Sequence, residues 1–175
     1  MNYVSHPYFW FAIAALLFIL AIYFLSDTIK FSSYVPRKQL LTNAELNFYG
    51  QLVKAVNGKA HIFCMVRVAD VVTIKNSIKG RRRLQKLGPI AQKHFDFVLV
   101  DNQTNILCAI ELNDSSHDKK DRKERDEFLT KVMESTGTPL LWIQAAARYD
   151  IDAIRKYLNA HLPVYFPHNP NKPNA

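Results

Sequence analysis

The chain has 175 residues, which is enough for one domain and an appended segment. Apolar residues make up 49% and charged residues 22%, a composition that excludes a largely disordered protein, and the net charge is +8. Neither a Gly-rich phosphate loop nor a nucleophile elbow is present in the sequence, which argues against nucleotide hydrolases and serine hydrolases.

The N-terminal segment is the most apolar part of the chain. Tyr8 to Leu25 are eighteen consecutive residues without a charged or strongly polar side chain, and aromatic residues lie near both ends. As a helix this run spans roughly 27 Å, close to a bilayer core of about 30 Å. The alternatives are a cleavable signal peptide, which would need basic residues before the run and a small-residue site after it, and a buried core helix. We predict a transmembrane anchor over residues 1–29 that contacts the lipid bilayer through residues 8–25.

The charges beside this helix predict its orientation. Lys30, Arg37 and Lys38 follow the helix and no Lys or Arg precedes it, so the positive-inside rule places the C-terminal part in the cytoplasm. Residues 30–38 are expected to form a tether. The two cysteines lie in apolar, strand-like runs without zinc-type spacing, so we expect reduced thiols in the core of a cytosolic domain.

A helix start follows the tether. Thr42-Asn43-Ala44-Glu45 has the sequence of a capping box, and Leu41 and Leu46 would pack across it as a hydrophobic staple. The apolar residues that follow have helical spacing up to Asn57-Gly58, which ends the helix. Glu45 therefore has a sufficient structural role as a capping residue.

Two short apolar runs and a basic segment come next. His61 to Val68 and Val71 to Ile74 predict one bent strand or two short strands. Lys75 to Lys93 contain seven basic residues and no acidic residue, and we interpret this Gly-containing segment as a loop. Such a loop would attract nucleic-acid phosphates. The alternatives are a loop exposed to solvent only and a loop that lies on anionic lipid. The candidate nucleic-acid-binding residues are Lys79, Arg81, Arg82, Arg83, Lys86 and Lys93.

Two acidic residues stand out in the apolar runs that follow. Residues 95–101 and 106–114 read as two strands joined by a hairpin turn, with Asp96 near the start of the first and Glu111 near the end of the second. A buried carboxylate is costly unless it is compensated, and a divalent cation is a common compensator. Period-2 alternation places Asn113 on the same face as Glu111, so an antiparallel hairpin could gather all three side chains around one ion. The simpler alternative is a buried Asp96 paired with Arg125, with His117 as a strand-end cap.

The rest of the chain predicts two helices and a strand. Residues 118–136 form a helix with an apolar stripe, and Arg125 lies on the extension of that stripe, from which it could point towards the acids. Residues 140–144 predict a short strand and residues 150–161 a final amphipathic helix, and the Pro- and Asn-rich tail (163–175) is expected to be disordered. This order favours an α/β (α+β) domain over residues 39–162, with helices on both faces of a sheet.

Several short patterns occur in order along residues 39–158. They are Leu41-Thr42-x-x-Glu45-x-x-Phe48-Tyr49, Asp96-Phe97-Val98-Leu99, Ile110-Glu111-Leu112-Asn113-Asp114-x-x-His117, Arg125-Asp126 and Gly137-Thr138-Pro139-Leu140. Together they resemble the bacterial domain of unknown function 2726 and, more distantly, small nucleases of the restriction-endonuclease-like, PD-(D/E)XK, superfamily, including very-short-patch-repair-type enzymes.

The resemblance implies a restriction-endonuclease-like mixed sheet flanked by helices, attached to a bacterial inner membrane by the preceding helix. It also implies a phosphodiesterase that depends on Mg²⁺ (or Mn²⁺) and acts on nucleic acid, with DNA preferred over RNA. Asp96, Glu111 and the carbonyl of Leu112 would hold the metal. Glu45 could join them, and His117 could orient or protonate groups near the scissile phosphate.

One position departs from the pattern. The superfamily usually has Lys two residues after the second acid, and the closer family an acid, but this chain has Asn113. Asn113 can coordinate through its oxygen without contributing charge. Lys93 or Lys119 could supply a cation from elsewhere. The alternative function is a catalytically silent nucleic-acid-binding or scaffold module of nuclease fold tethered to the membrane.

Overall fold

The computed structural model describes residues 7–31, 34–113 and 120–166 and divides the chain into two units, Met1–Gln39 and Leu40–Ala175. The first unit contains helix α1 (Pro7–Phe31). Its stretch Tyr8–Ser26 has a mean hydropathy of 2.5 and is 0% buried. The helix is therefore long and apolar enough to cross a membrane.

The second unit begins with helix α2 (Asn43–Val56), and the predicted capping box is confirmed. Thr42 Oγ1 accepts a hydrogen bond from the Glu45 N–H at 3.3 Å, and Glu45 Oε2 accepts one from the Thr42 N–H at 2.8 Å. The helix ends at Asn57, whose left-handed backbone (φ 48°) is the conformation expected at this position.

Strand β1 (His61–Arg67) is followed by a single helical turn, α3 (Val68–Val71), so the prediction of a strand over residues 71–74 is wrong. Val68 and Val72 are four residues apart and both are buried, and one helical turn brings both side chains into the same core. On the exposed side of this turn, Arg67 forms an ion pair with Asp70 at 2.8 Å.

The basic segment contains helix α4 (Gly80–Ala91), which corrects the prediction of a loop over residues 75–93. Gly80, Gly88 and Pro89 are unfavourable in helices and suggested irregular structure. Leu87 and Ile90 nevertheless pack against a hydrophobic core at helical spacing. Tertiary packing therefore outweighs the local propensity here.

Strands β2 (His94–Val100), β3 (Ile106–Asn113) and β4 (Leu140–Gln144) complete a four-stranded sheet in the order β1-β2-β3-β4. The first three strands are antiparallel and β4 is parallel to β3, so the sheet is mixed. The predicted β2–β3 hairpin and the predicted bounds of β4 are confirmed. Asp101 sets the hairpin turn, since its Oδ1 accepts hydrogen bonds from the N–H groups of Gln103 and Asn105.

Helices α5 (Lys120–Thr136) and α6 (Ile151–His161) complete the fold, and helices cover both faces of the sheet as predicted. One core lies between the sheet and helices α2 and α6, and the other between the sheet and helices α3, α4 and α5.

Both cysteines are free thiols, and burial raises the pKa of Cys108 to about 12, as expected for an inert core residue. The core extends to Phe166, which is buried although it lies within the predicted tail; residues 167–175 are outside the described part of the chain.

A candidate carboxylate site at one end of the sheet

The β2–β3 hairpin brings Asp96 and Glu111 to the same end of the sheet. Regular pairing between the two strands reaches Phe97 and Ile110 at this end. One residue further towards this end, the hydrogen bond between the two strands is made by the Asp96 side chain, whose Oδ2 accepts from the Leu112 N–H at 2.7 Å. The hairpin thus ties the first acid to the backbone beside the second.

Glu111 is a buried acid with an unfilled hydrogen-bonding capacity. The residue is 2% exposed, and among the described residues its Oε1 has no hydrogen-bond partner. Burial first, and then the charge of Asp96, raises the pKa of Glu111 to about 8. A protonated Glu111 can hydrogen-bond to Asp96, so this oxygen lacks a partner only in the ionised acid, where a cation would supply one.

Asp96 has the same electrostatic character. Burial raises the pKa of Asp96, and the hydrogen bond from the Leu112 N–H opposes that rise. The nearby charge of Glu45 raises the pKa of both Asp96 and Glu111. Asp96 and Glu111 are thus close enough to each other and to the charge of Glu45 that more positive charge would stabilise their ionised forms.

Among the described residues Arg125 is the cation that contacts Glu111, which confirms that its side chain points towards the acids. Its Nη2 lies 3.5 Å from Glu111 Oε2, and its Nε lies 3.2 Å from Asp126 Oδ1. Arg125 lowers the pKa of both Asp96 and Glu111, whereas Asp126 raises that of Glu111. The side chain of Arg125 is 42% exposed, so it connects the buried acids with solvent.

The other predicted catalytic residues occupy different positions. Glu45 lies near enough to act electrostatically on both acids, but its Oε2 is used by the helix cap. Asn113 is exposed at the end of β3, and its carbonyl accepts a hydrogen bond from the Ala145 N–H. His117 and Lys119 lie outside the described residues.

The position of Leu112 follows from strand geometry. Backbone groups of successive strand residues point to opposite sides of the strand. The Asn113 carbonyl faces the β4 side, and the Leu112 N–H faces Asp96. The Leu112 carbonyl therefore also lies on the Asp96 side, where a ligand role is geometrically possible.

The predicted nucleic-acid-binding residues lie on or beside α4. Arg81, Arg82 and Lys86 are exposed, whereas Arg83 is half-buried and donates from Nη1 to the Ile74 carbonyl at 3.1 Å. Lys79 is exposed just before the helix and Lys93 is half-buried after it. The structure thus presents most of this charge as an ordered helical surface rather than a loop.

The residues at the sheet end fit a hard divalent cation. Within residues 7–31, 34–113 and 120–166 there is no group of three or more His, Cys, Asp or Glu side chains arranged to hold a metal. The available donors are instead two carboxylates and a backbone carbonyl, and oxygen ligands of this kind are the ones Mg²⁺ prefers. The partnerless Oε1 of Glu111 is the observation that fits such an ion best.

Trp142 is a neighbour of the site that the sequence did not reveal. It pairs with Glu111 in the parallel β3–β4 register, and its Nε1 donates to Thr130 Oγ1 of α5 at 3.3 Å. A sequence signal for this contact is lacking, because the register of two parallel strands separated by a helix depends on tertiary packing.

The fold and the site together define a mixed α+β domain with a buried and a half-buried acid side by side at one end of a four-stranded sheet. The chain belongs to the family described as "Protein of unknown function (DUF2726)", whose sequence model matches residues 37–162, more than half of the chain. No curated protein and no solved structure matches the chain.

Proposed function

We propose that this protein is a metal-dependent nuclease of restriction-endonuclease-like fold that hydrolyses phosphodiester bonds of nucleic acid, with DNA as the preferred substrate. The observation that supports the proposal most strongly is the buried Glu111, with one oxygen lacking a partner among the described residues, beside the half-buried Asp96. Acids whose pKa is raised by burial and by a neighbouring acid are typical of functional rather than purely structural positions.

Asp96, Glu111 and the Leu112 carbonyl would hold Mg²⁺ (or Mn²⁺), which when bound supplies an activated water and neutralises charge on the phosphate. In the hydrolysis, a bond forms between the water oxygen and phosphorus, and the bond from phosphorus to the sugar oxygen breaks. One proton leaves the water and another joins the departing sugar oxygen. His117 would orient or protonate groups there, and Glu45 would add to the negative field around the two acids.

The basic surface of α4 would bind the nucleic-acid backbone. Its exposed side chains, Arg81, Arg82 and Lys86, lie within one and a half turns of helix and can contact neighbouring phosphates. The charge of Lys79, Arg83 and Lys93 would add to the same positive field.

We further propose that α1 anchors the domain in a bacterial inner membrane. The helix has the length and hydropathy for a single span, and the basic residues that follow it would keep the domain in the cytoplasm. The substrate would then be nucleic acid at the inner surface of that membrane.

A catalytically silent nucleic-acid-binding or scaffold module is the second candidate. Asn113 favours it, since a neutral and exposed amide stands where the resembling nucleases carry Lys or an acid. Such a module would use α4 for binding and would retain the acid pair without turnover.

Cleavage assays with the full-length protein in detergent micelles distinguish these functions. Supercoiled plasmid, single-stranded DNA and RNA are incubated with Mg²⁺ or Mn²⁺, or with chelator, beside Glu111→Gln and the matched exposed control Glu127→Gln. The nuclease predicts metal-dependent cutting that Glu111→Gln abolishes and Glu127→Gln retains. DNA binding without cutting under every condition would instead support the silent module.

A further inference from the structure

The contacts of Asp96, Glu111 and Arg125 leave room for a metal ion to bind the two acids while Arg125 stays in contact with Glu111. Glu111 directs Oε2 to Arg125, while its Oε1 has no partner among the described residues. Asp96 likewise uses Oδ2 for the Leu112 N–H. One oxygen of each acid is held by the protein, and a protonated Glu111 can hydrogen-bond to Asp96. A cation could take the place of that proton without displacing Arg125.

Arg125 retains hydrogen-bonding capacity beyond its two acidic partners. A guanidinium has five N–H donors. Among the described residues, Glu111 and Asp126 account for one nitrogen each, Nη2 and Nε, so Nη1 and part of Nη2 remain for another acceptor. Since the side chain is 42% exposed, an acceptor arriving from solvent can reach them.

The helix that carries Arg125 is fixed to the sheet. Leu129 and Met133, four and eight residues further along α5, are each 1% exposed in the core below it. Asp126 contacts the guanidinium at Nε, and its own carbonyl accepts a hydrogen bond from Thr130 Oγ1. The packed helix and the contacts with Glu111 and Asp126 restrict the guanidinium before any substrate arrives, which lowers the entropic cost of binding one.

Arg125 also meets a charge requirement that Asn113 does not. Phosphodiester hydrolysis builds negative charge on the phosphate oxygens, and a positioned cation stabilises that charge. From the sequence, Lys93 or Lys119 could supply this cation. Lys119 lies outside the described residues, and Lys93 is not among the groups that shift the pKa of Asp96 or Glu111. Arg125 acts on both acids.

We propose that Arg125 is a catalytic residue that donates hydrogen bonds to a non-bridging oxygen of the scissile phosphate, next to the metal held by Asp96 and Glu111. This role rests on the proposed nuclease function. The planar, forked guanidinium can donate hydrogen bonds to anionic oxygens, which the phosphodiester of a nuclease substrate carries and a neutral sugar does not.

The test compares Arg125→Ala, Arg125→Lys and the control Lys123→Ala in full-length protein in micelles. Lys123 is an exposed cation on the same helix, so its loss removes equal charge without touching the acids. Three quantities are measured: the cleavage rate at saturating DNA, the affinity for Mn²⁺ by calorimetry, and DNA affinity with Ca²⁺ in place of Mg²⁺. Thermal unfolding confirms that each variant is folded. If Arg125→Ala does not fold, Arg125→Lys is compared with the wild type in its place.

We expect Arg125→Ala to lower the cleavage rate by about 10²-fold or more while the Mn²⁺ affinity is retained. Lys123→Ala should stay near wild type, and Arg125→Lys should recover part of the lost rate. If the wild type cleaves DNA and Arg125→Ala cleaves it at the same rate, the role of Arg125 is overturned and the nuclease function remains intact. Loss of Mn²⁺ binding in Arg125→Ala would show that the residue only positions the acids. Absence of cleavage by the wild type with every metal would refute the nuclease function itself.

Discussion

Replacing Glu111 by Gln removes an ionisable group from the core while preserving its shape and most of its polarity. The side chain is 3% exposed, one oxygen is partnerless among the described residues, and the other is 3.5 Å from Arg125. In the metal-free protein the ionised form of Glu111 is therefore poorly solvated. Its substitution isolates the energetic consequence of keeping this acid buried.

The magnitude follows from the pKa of Glu111, which burial and Asp96 raise from an ordinary 4.5 to about 8. Because the folded state holds the proton more tightly than the unfolded state, folding stability falls as the pH rises from 4.5 to 8. Each unit of pKa difference corresponds to about 1.4 kcal/mol, so the full loss is on the order of 5 kcal/mol. This figure is an upper bound, since Asp96 and Arg125 share the titration.

The assay is urea unfolding of the full-length protein in micelles, with chelator present, at pH 5 and pH 8. Trp142 reports on the domain by fluorescence, because it pairs with Glu111 across the sheet. Wild type should lose several kcal/mol between the two pH values, whereas Glu111→Gln should lose much less and be the more stable protein at pH 8. The exposed control Glu127→Gln should behave as wild type. Equal pH dependence in Glu111→Gln and wild type would refute the reasoning.

Three other predictions concern the ion, the start of helix α2 and the basic surface of α4. At pH 8, Mg²⁺ at about a hundred times its Kd should stabilise wild type by about 2.7 kcal/mol and leave Glu111→Gln unchanged in thermal unfolding; equal stabilisation of both proteins would place the ion elsewhere. Thr42→Ala removes the acceptor for the Glu45 N–H and should lower the free energy of unfolding by about 1 kcal/mol in urea titrations, and a change near zero would contradict the capping role. Replacing Arg81, Arg82 and Lys86 by Ala should reduce the slope of log K against log salt for duplex DNA binding by about 3, measured by fluorescence anisotropy, and an unchanged slope would exclude α4 as the contact surface. The matched control is the triple alanine variant of three exposed lysines elsewhere in the domain, Lys54, Lys131 and Lys156.

Elements specified by short-range signals were predicted well from the sequence. The capping box at Thr42 and Glu45 marks the start of α2, and the turn chemistry of Asp101 marks the hairpin. The final helix begins at the N-cap Asp150, whose side chain accepts from the Asp152 N–H at 2.9 Å. In each case the residues that set the boundary lie within four positions of one another, so their interactions are the same in any fold that contains the segment.

Elements that depend on distant packing were predicted poorly. The glycines and Pro89 of α4 favour irregular backbone, and the helix is identified only when Leu87 and Ile90 are seen packing against a core that includes β2 and α5. The turn at Val68 depends in the same way on the burial of Val68 and Val72. The helix propensity cost is about 1 kcal/mol for a glycine and about 3 kcal/mol for a proline, and burial of a few apolar side chains at about 1.5–3 kcal/mol each outweighs it.

The candidate site shows the same division. The sequence alone determined that Asp96 and Glu111 stand in apolar strands of one hairpin and that Arg125 lies on the inward stripe of a helix. Only the tertiary structure decided that β4 runs parallel to β3 and that α5 packs on the same face as Glu111. It also decided that one oxygen of this acid lies beside Arg125, while the other has no hydrogen-bond partner among the described residues. The physical reason is that burial, and with it the pKa of an acid, is produced by segments far apart in the chain, whose arrangement no local pattern specifies.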